Sequence, residues 1–538
     1  MWSNVIKSTL LTYRGKLSIP SDQEIFQNFQ TSNQKQYSDV QYQYKRVTRE
    51  FDTYAKDTSG NVYRPLLDIM QKLDSNPDFV NKWLLGVVAS MNAKIRHYQR
   101  SLQKDKDQLD REMKKLREDA KNKFKDLNVA HSDTEVANYL TTGTRMQTYD
   151  LMSEKLHSKE HLVKHAYIRA VLSLSATKPG NEILREYLRN KLNISLFELV
   201  KMKHFESQKA ICTKLESFMI DAELMQDHSL TFLIAGSPGT GKTTLAKKIA
   251  DILGTMGALV FDTLVESTRG DFVAEYLGQS VAKTRRLLNS TLEQVLFIDE
   301  AYALSQYVRN VDGSRQLDSY SEEAINELTG FMTSHLGKIC IIVAGYQDEM
   351  YKDFLPSNIG LERRFDTHFK IDDKTPFELS TMFVRILQEN LCKLGNTIYE
   401  YTRKYLEDII TEVYANKEEY ACLYRFIRQQ AGAIVELAKT AIQIHMSTLY
   451  REESMTTEEL FRTILRSKTR DGDNGESRLP EIDRVLSKVS VDTRLSAKVS
   501  ECILETRKSS DNLEIEALDM DIFEMALPPQ QAARPSSP

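Results

Sequence analysis

LTFLIAGSPGTGKTTLAKKIADILG, residues 230–254, is the stretch whose reading decides the fold. The apolar run Thr231–Ala235 reads as a buried strand, and the run from Thr243 onward as a helix. Between them Gly236-Ser237-Pro238-Gly239-Thr240-Gly241-Lys242-Thr243 fits the pattern GxxxxGK[ST], with Thr244 next. Glycines at these positions let the backbone curl into a concave loop whose N–H groups converge on phosphate oxygens. The helix beginning near Lys242 adds the positive end of its dipole. The Lys242 ammonium is placed to reach the outer phosphates, and the Thr243 hydroxyl to ligate Mg²⁺. A turn of purely structural origin would not need the Lys-Thr pair at that offset. The ligand implied is ATP with Mg²⁺.

A second strand supports this. Val295-Leu296-Phe297-Ile298 runs into Asp299-Glu300, and Asp299 lies 56 residues after Thr243. Acids at the carboxyl edge of a parallel strand sit where sheets of this layout bind ligands. Asp299 suits an outer ligand of Mg²⁺, and Glu300 suits a base that orients water toward the terminal phosphate.

Working outward, residues 195–370 alternate short apolar runs with amphipathic stretches: LTFLIAG, TTLAKKIADILG, ALVFDTLV, VLFIDEA and KICIIVAGY. Such a pattern predicts an α/β unit, a parallel sheet sandwiched by helices. Residues 371–450 return to helical periodicity, and residues 1–190 read as a mainly helical N-terminal domain. A polar, glycine-containing run at 467–478 reads as a linker within the C-terminal helices of 451–510. The tail 511–538 begins acidic and apolar and ends rich in proline. It reads as a docking motif or as a segment folded onto its own chain, with a disordered end.

Within the N-terminal domain, 94–125 carries twelve basic and six acidic side chains, a net of +6. Ile95, Leu102, Leu109 and Leu116 recur every seven residues, a weak seam within an arm over about 91–127. Three readings stand: a solvated helix packed on local neighbours, an intermolecular coiled coil or docking arm, and a nucleic-acid surface. The last lacks interleaved aromatics.

Composition sets outer bounds. The 538 residues carry 72 basic and 76 acidic side chains and are 41% hydrophobic, which excludes wholesale disorder and a chain-wide nucleic-acid coat. No run approaches the roughly 18 apolar residues of a membrane span, so no membrane partner is expected. Five scattered cysteines without a CxxC pair, and a start without a secretory pattern, lead us to expect a reduced, cytoplasmic protein.

With both phosphate-site motifs in place, region 195–450 resembles the AAA+ ATPases, and within them the CbxX/CfqX group that includes the red-type rubisco activase and relatives in sporulation and type VII secretion. Phe297-Ile298-Asp299-Glu300-Ala301-Tyr302 resembles the group's FIDEAY, and Glu275-Tyr276-Leu277-Gly278-Gln279-Ser280 its EYIGxT. Tyr320-Ser321-Glu322-Glu323-Ala324-Ile325 is similar to YGxEAI, and Ile342-Val343-Ala344-Gly345-Tyr346 to the IxAGY strand end. Asn358-Ile359-Gly360-Leu361-Glu362-Arg363-Arg364-Phe365 is similar to NPGLxSRF, with Ile359 for Pro and Arg363 for Ser.

The resemblance implies a homo-oligomeric ring, usually of six, with nucleotide between neighbours and an unknown protein client. It puts Arg364 at the position that reaches the next subunit's phosphates, with Arg363 able to exchange roles. It implies a helical lid over 371–450 in which Arg425, or alternatively Arg428, senses the outer phosphate. It places Tyr276 in a loop facing the central channel, although Tyr276 also reads as a core aromatic. No residue stands out as a first sensor, and no HExxH metalloprotease motif follows. The expectation is an ATP hydrolase that remodels a protein or protein complex. The alternatives are a nucleic-acid motor or loader and a nucleotide-gated scaffold.

Overall fold

A computed structural model describes residues 21–56 (with breaks at 22, 26, 28 and 30–33), 63–126, 144–202, 205–220, 228–276, 278–309, 315–390, 396–451, 457–468 and 479–489. The tail 511–538, most of the linker, Cys392 and Cys502 lie outside the described residues, as do the side chains of Leu109 and Leu116. The chain divides into two compact units, Met1–Asp373 and Lys374–Pro538.

Seven strands occur among the described residues of the first unit: β1 (Leu230–Gly236), β2 (Leu264–Ser267), β3 (Val295–Ile298), β4 (Tyr307–Arg309), β5 (Arg315–Leu317), β6 (Cys340–Gly345) and β7 (His368–Ile371). Five form one sheet in the order β2-β3-β6-β1-β7, with every neighbouring pair parallel. β4 and β5 form a separate antiparallel pair. β1, β3 and β6 are buried along their whole length. Their sequences are apolar at nearly every position rather than alternating, as strands covered on both faces require. A parallel sheet puts all its strand C-termini at one edge, so the segments after β1, β3 and β6 emerge together.

The run ALVFDTLV forms a strand only from Leu264. Ala258, Leu259 and Val260 are buried, but their stretch is not paired in the sheet. Arg169 donates from Nη1 to the carbonyls of Leu259 and Val260 at 2.7 Å each, and its Nη2 to Gly254. The guanidinium thus satisfies backbone acceptors that a neighbouring strand would otherwise take up.

Arg169 belongs to the N-terminal helices, which share one buried apolar cluster with the sheet. The helix Pro77–Asp126 packs along Thr144–Ala176, and Lys106–Glu160 (2.9 Å) and Lys159–Ser101 (2.7 Å) tie the two together. Of the three readings of the basic run, its described part therefore has a local neighbour in the same chain. Trp83 Nε1 donates to Met256 O at 3.3 Å, and Ser90 Oγ to Gly257 O at 2.9 Å. Gly257 has φ +90° and lies against Val87, where an added Cβ would come within 2.9 Å of the valine methyls. Lys94 Nζ meets the buried Glu293 at 2.6 Å, and Tyr98 OH donates to the same carboxylate at 2.7 Å. Residues 254–262 and Glu293 precede β2 and β3, so the helical layer grips the sheet edge opposite the strand C-termini.

The second unit has helices joined by turns and no strand among its described residues, from Pro376–Asn390 to Leu479–Lys488. Its own core is built around Phe383, Tyr405, Leu406, Phe461 and Ile482.

Candidate nucleotide-binding site

β1 ends at Gly236, and the loop turns through Gly239 (φ +69°) and Gly241 (φ +103°) into the helix Lys242–Met256. Both φ values lie in the left-handed region, which a side-chain-bearing residue adopts only under strain. At Gly236 an added Cβ would lie 2.7 Å from the Ile371 carbonyl of β7, so the close approach of two strands demands glycine there. Thr240 is buried and its hydroxyl donates to Ser237 O at 2.9 Å, which closes the loop from inside. Ser237 is half-buried, while Pro238 and Gly239 are exposed. Thr243, on the first helical turn, is half-buried and Thr244 is exposed.

Lys242 Nζ donates to Gly236 O (3.0 Å) and Ser237 O (2.9 Å) and stands 5.5 Å from the centre of the Tyr346 ring. Burial lowers its pKa, and the charges of Asp299 and Glu300 partly restore it. The ammonium and the two acids therefore share one electrostatic site. β6 separates β1 from β3, so the loop and the acids stand about two strand spacings, ~10 Å, apart across the strand end that carries Tyr346.

Asp299 is half-buried, and its Oδ1 accepts the Glu300 N–H at 3.0 Å. Glu300 is exposed with φ +48°, one of three non-glycine residues with positive φ among the described residues. Tyr302 stacks on Tyr346 with centroids 5.6 Å apart. Its phenol pKa is raised by burial and then by the Glu300 charge. Tyr302 and Tyr346 were legible only as letters of a motif, and their place around Lys242 and Glu300 comes from the strand order.

Tyr276 follows β2 and is 66% exposed, so it is not a core aromatic. Its loop is pinned on both sides. Gly278 N donates to the Glu323 carboxylate at 3.0 and 3.2 Å, and Lys283 Nζ donates to Val273 O at 3.0 Å. Arg269, just after β2, donates to Ala303 O (2.9 Å) and Ser321 Oγ (2.7 Å) and pairs with Asp318 (3.3 Å). It links the strand before the Tyr276 loop to the turn after Glu300, a role no local pattern announces.

The helix Ile359–Arg364 is capped by Asn358, whose Oδ1 accepts Gly360 N at 2.7 Å. The cap forms without proline, and Ile359 is left 81% exposed. Arg364 is half-buried and bonded within its own chain, while Arg363 is exposed. Arg425 and Arg428 are exposed on and just after the helix Ala421–Ile427 of the second unit.

A glycine loop between a buried parallel strand and a helix, with paired acids two strands away, is the layout of a P-loop nucleoside-triphosphatase. The family model described as "ATPase family associated with various cellular activities (AAA)" matches residues 232–373. The CfxQ homolog of Pyropia yezoensis is 36% identical over 220 residues, which cover 40% of this chain and 71% of that relative. The chloroplastic ribulose bisphosphate carboxylase/oxygenase activase of Cyanidioschyzon merolae is 42% identical over 154 residues, 29% of this chain and 50% of the relative. The ESX-1 secretion system protein EccA1 of Mycobacterium tuberculosis is 42% identical over 147 residues, 27% of this chain. The match spans a quarter (25%) of EccA1's own length. The chain belongs to the AAA+ ATPases, in their CbxX/CfqX-like group. Among the described residues, no helix is long and apolar enough to cross a membrane.

Proposed function

We propose that this chain hydrolyses ATP as a protomer of a ring, a hexamer by the family pattern, and uses the cycle to remodel a protein or protein complex. The observation that carries this reading is the glycine loop that joins buried β1 to the helix Lys242–Met256, with Asp299 and Glu300 at the end of β3 on the same carboxyl edge of the parallel sheet. The loop Gly236–Thr244 supplies backbone N–H groups to the phosphates, and Lys242 neutralises the outer ones. Thr243 and Asp299 offer hard oxygen donors, which fit Mg²⁺; they would hold the ion, which would supply positive charge against the phosphates. Glu300 orients water for in-line attack. An arginine of the Arg363–Arg364 pair enters the neighbour's site and stabilises charge on the transferred phosphoryl group. Arg425, or Arg428, ties the lid to nucleotide state, and Tyr276 offers an exposed aromatic contact to a threaded peptide.

Around that motor we place a helical N-terminal region over 1–190, an AAA+ module over 195–370, a lid over 371–450, and C-terminal helices and a tail beyond 451. Names of relatives that refer to secretion and to activation of an enzyme support a protein client over a nucleic acid. The test combines Mg²⁺-dependent ATP turnover with capture of bound proteins by the Glu300→Gln form. Capture of a discrete protein partner in the ATP state is expected. Turnover stimulated only by DNA or RNA, with binding that falls steeply with salt, would replace this reading with a nucleic-acid motor.

A further inference from the structure

Two adjacent arginines end the helix Ile359–Arg364, and the family motif points to the second. The geometry points to the first. We infer that Arg363 is the guanidinium delivered to the neighbouring protomer's phosphates, and that Arg364 is a positioning residue that fixes the helix carrying it. This assignment rests on the ring reading proposed above.

Arg364 is committed inside its own protomer. Its Nε donates to Thr333 Oγ1 at 3.1 Å, its Nη2 reaches the same hydroxyl, and its Nη1 donates to Gly360 O at 2.8 Å. Its backbone carbonyl accepts the hydroxyl of Thr231, which ties the helix end to the start of β1, the end of the strand away from the phosphate loop. Gly360 is shaped by this arrangement: an added Cβ would stand 2.5 Å from Arg364 Nη1 and 2.7 Å from Thr329 Cγ2. Only a residue without a side chain lets the guanidinium lie back over the helix. Sending Arg364 outward would break several hydrogen bonds that the local sequence is built to make.

Arg363 shows the opposite features. It is exposed, and among the described residues it has no hydrogen bond or ion pair. Both arginines line one concavity, but successive helical residues point roughly 100° apart, and among the described residues only the Arg364 guanidinium is held by hydrogen bonds of its own chain. Around it lie exposed Ile359 (81%) and Leu336 (38%), beside a 360 Å³ concavity that Met332 also lines. An unpaired cation rimmed by apolar side chains suits a second copy of this chain. That copy offers the complementary charge in its acids Asp299 and Glu300 and the anionic nucleotide.

The test is steady-state ATP turnover of the full chain, with nucleotide binding and thermal unfolding measured on each variant. Arg363→Ala is expected to lower kcat by about 10³-fold, with the unfolding midpoint unchanged and nucleotide still bound. Arg363→Lys should recover little, because an ammonium lacks the planar fork. Arg364→Ala and Thr333→Val should resemble each other: a lowered midpoint and a loss of kcat under about 10-fold. Mixing Arg363→Ala with Lys242→Ala protomers should restore turnover at about a quarter of interfaces, by random assortment of equal populations in a closed ring. Two results overturn the assignment. One is Arg364→Ala losing as much kcat as Arg363→Ala with an unchanged midpoint. The other is Thr333→Val leaving both midpoint and turnover at wild-type values. A wild-type chain without turnover would remove the underlying reading, and this assignment with it.

Discussion

Glu300 carries two burdens at once. Its carboxylate stands at the carboxyl edge beside Asp299, and its backbone is held at φ +48°, where a long side chain costs roughly 1–3 kcal/mol. The strand end forces that geometry, because Ala301 must turn at once into the short helix Ala301–Leu304. Glu300→Asn places a residue tolerant of the left-handed region there. It should raise unfolding free energy by about 1 kcal/mol in urea titrations while turnover falls by about 10²-fold or more. Unchanged stability would show that the positive φ is unstrained. Lys242→Ala should abolish retention of a fluorescent ATP analogue without lowering the unfolding midpoint, since the hydrogen bonds of its ammonium go to two backbone carbonyls, those of the buried Gly236 and the half-buried Ser237. The loop and the two acids were legible because each is a short, contiguous pattern with one chemical use. Tyr346 was not, since its position above Lys242 depends on β6 inserting between β1 and β3, an ordering that no local stretch encodes. Thr333 was likewise hidden, a plain helical threonine until the fold sets it opposite Arg364.

At the scale of elements, the sheet and the N-terminal helices meet through a buried ion pair between residues 199 positions apart. Lys94 and Glu293 have side chains 3% and 0% exposed, and Tyr98 completes the carboxylate's shell. Glu293 lies in TLEQV, which reads as an ordinary surface turn before a strand, so sequence alone gave no reason to bury it. Its φ of +62° turns the chain so that its N–H donates to Lys338 O at 2.6 Å while its side chain points into the helical layer. A buried pair adds little relative to apolar packing, but a broken one leaves a charge without a partner. Glu293→Ala should therefore cost about 3–5 kcal/mol in chemical denaturation, and Lys94→Met with Glu293→Gln should recover much of it. Equal midpoints for wild type and Glu293→Ala would mean that the helical layer is not held through this pair. The boundary between helical region and sheet was read from a change of periodicity. Periodicity reports local structure, and it is silent about a core that continues from Trp83 into Leu253 and Leu296.

For the first unit as a whole, the same docking face predicts a response to acid. The helix Thr144–Ala176 brings Arg169 onto the carbonyls of 254–260, and one turn earlier it sets His165 against Phe261, with ring centroids 5.1 Å apart. His161 lies 4.2 Å from His165 between ring centres and stacks on the same phenyl at 5.6 Å. Burial, and then the nearby His161 and Lys164, push the His165 pKa below its ordinary 6.5. Its folded pKa is thus lower than its unfolded one, so the unfolded chain takes up the proton first. The stabilisation is complete above pH 6.5 and drains away as pH falls through that value toward the folded pKa. Carboxylates titrate mostly below this window, which leaves histidine as the group that reports between pH 7.5 and 5.5. Thermal unfolding of wild type should shift to lower temperature across that range, and His165→Gln should flatten the slope by keeping the site neutral. The protection factors of the Leu259 and Val260 amides, exchange corrected for its intrinsic pH dependence, should fall over the same interval in wild type, because those residues lie under the helix that carries both His165 and Arg169. Parallel pH profiles for wild type and His165→Gln would show that this face does not sense protons and that the acid response arises elsewhere in the unit.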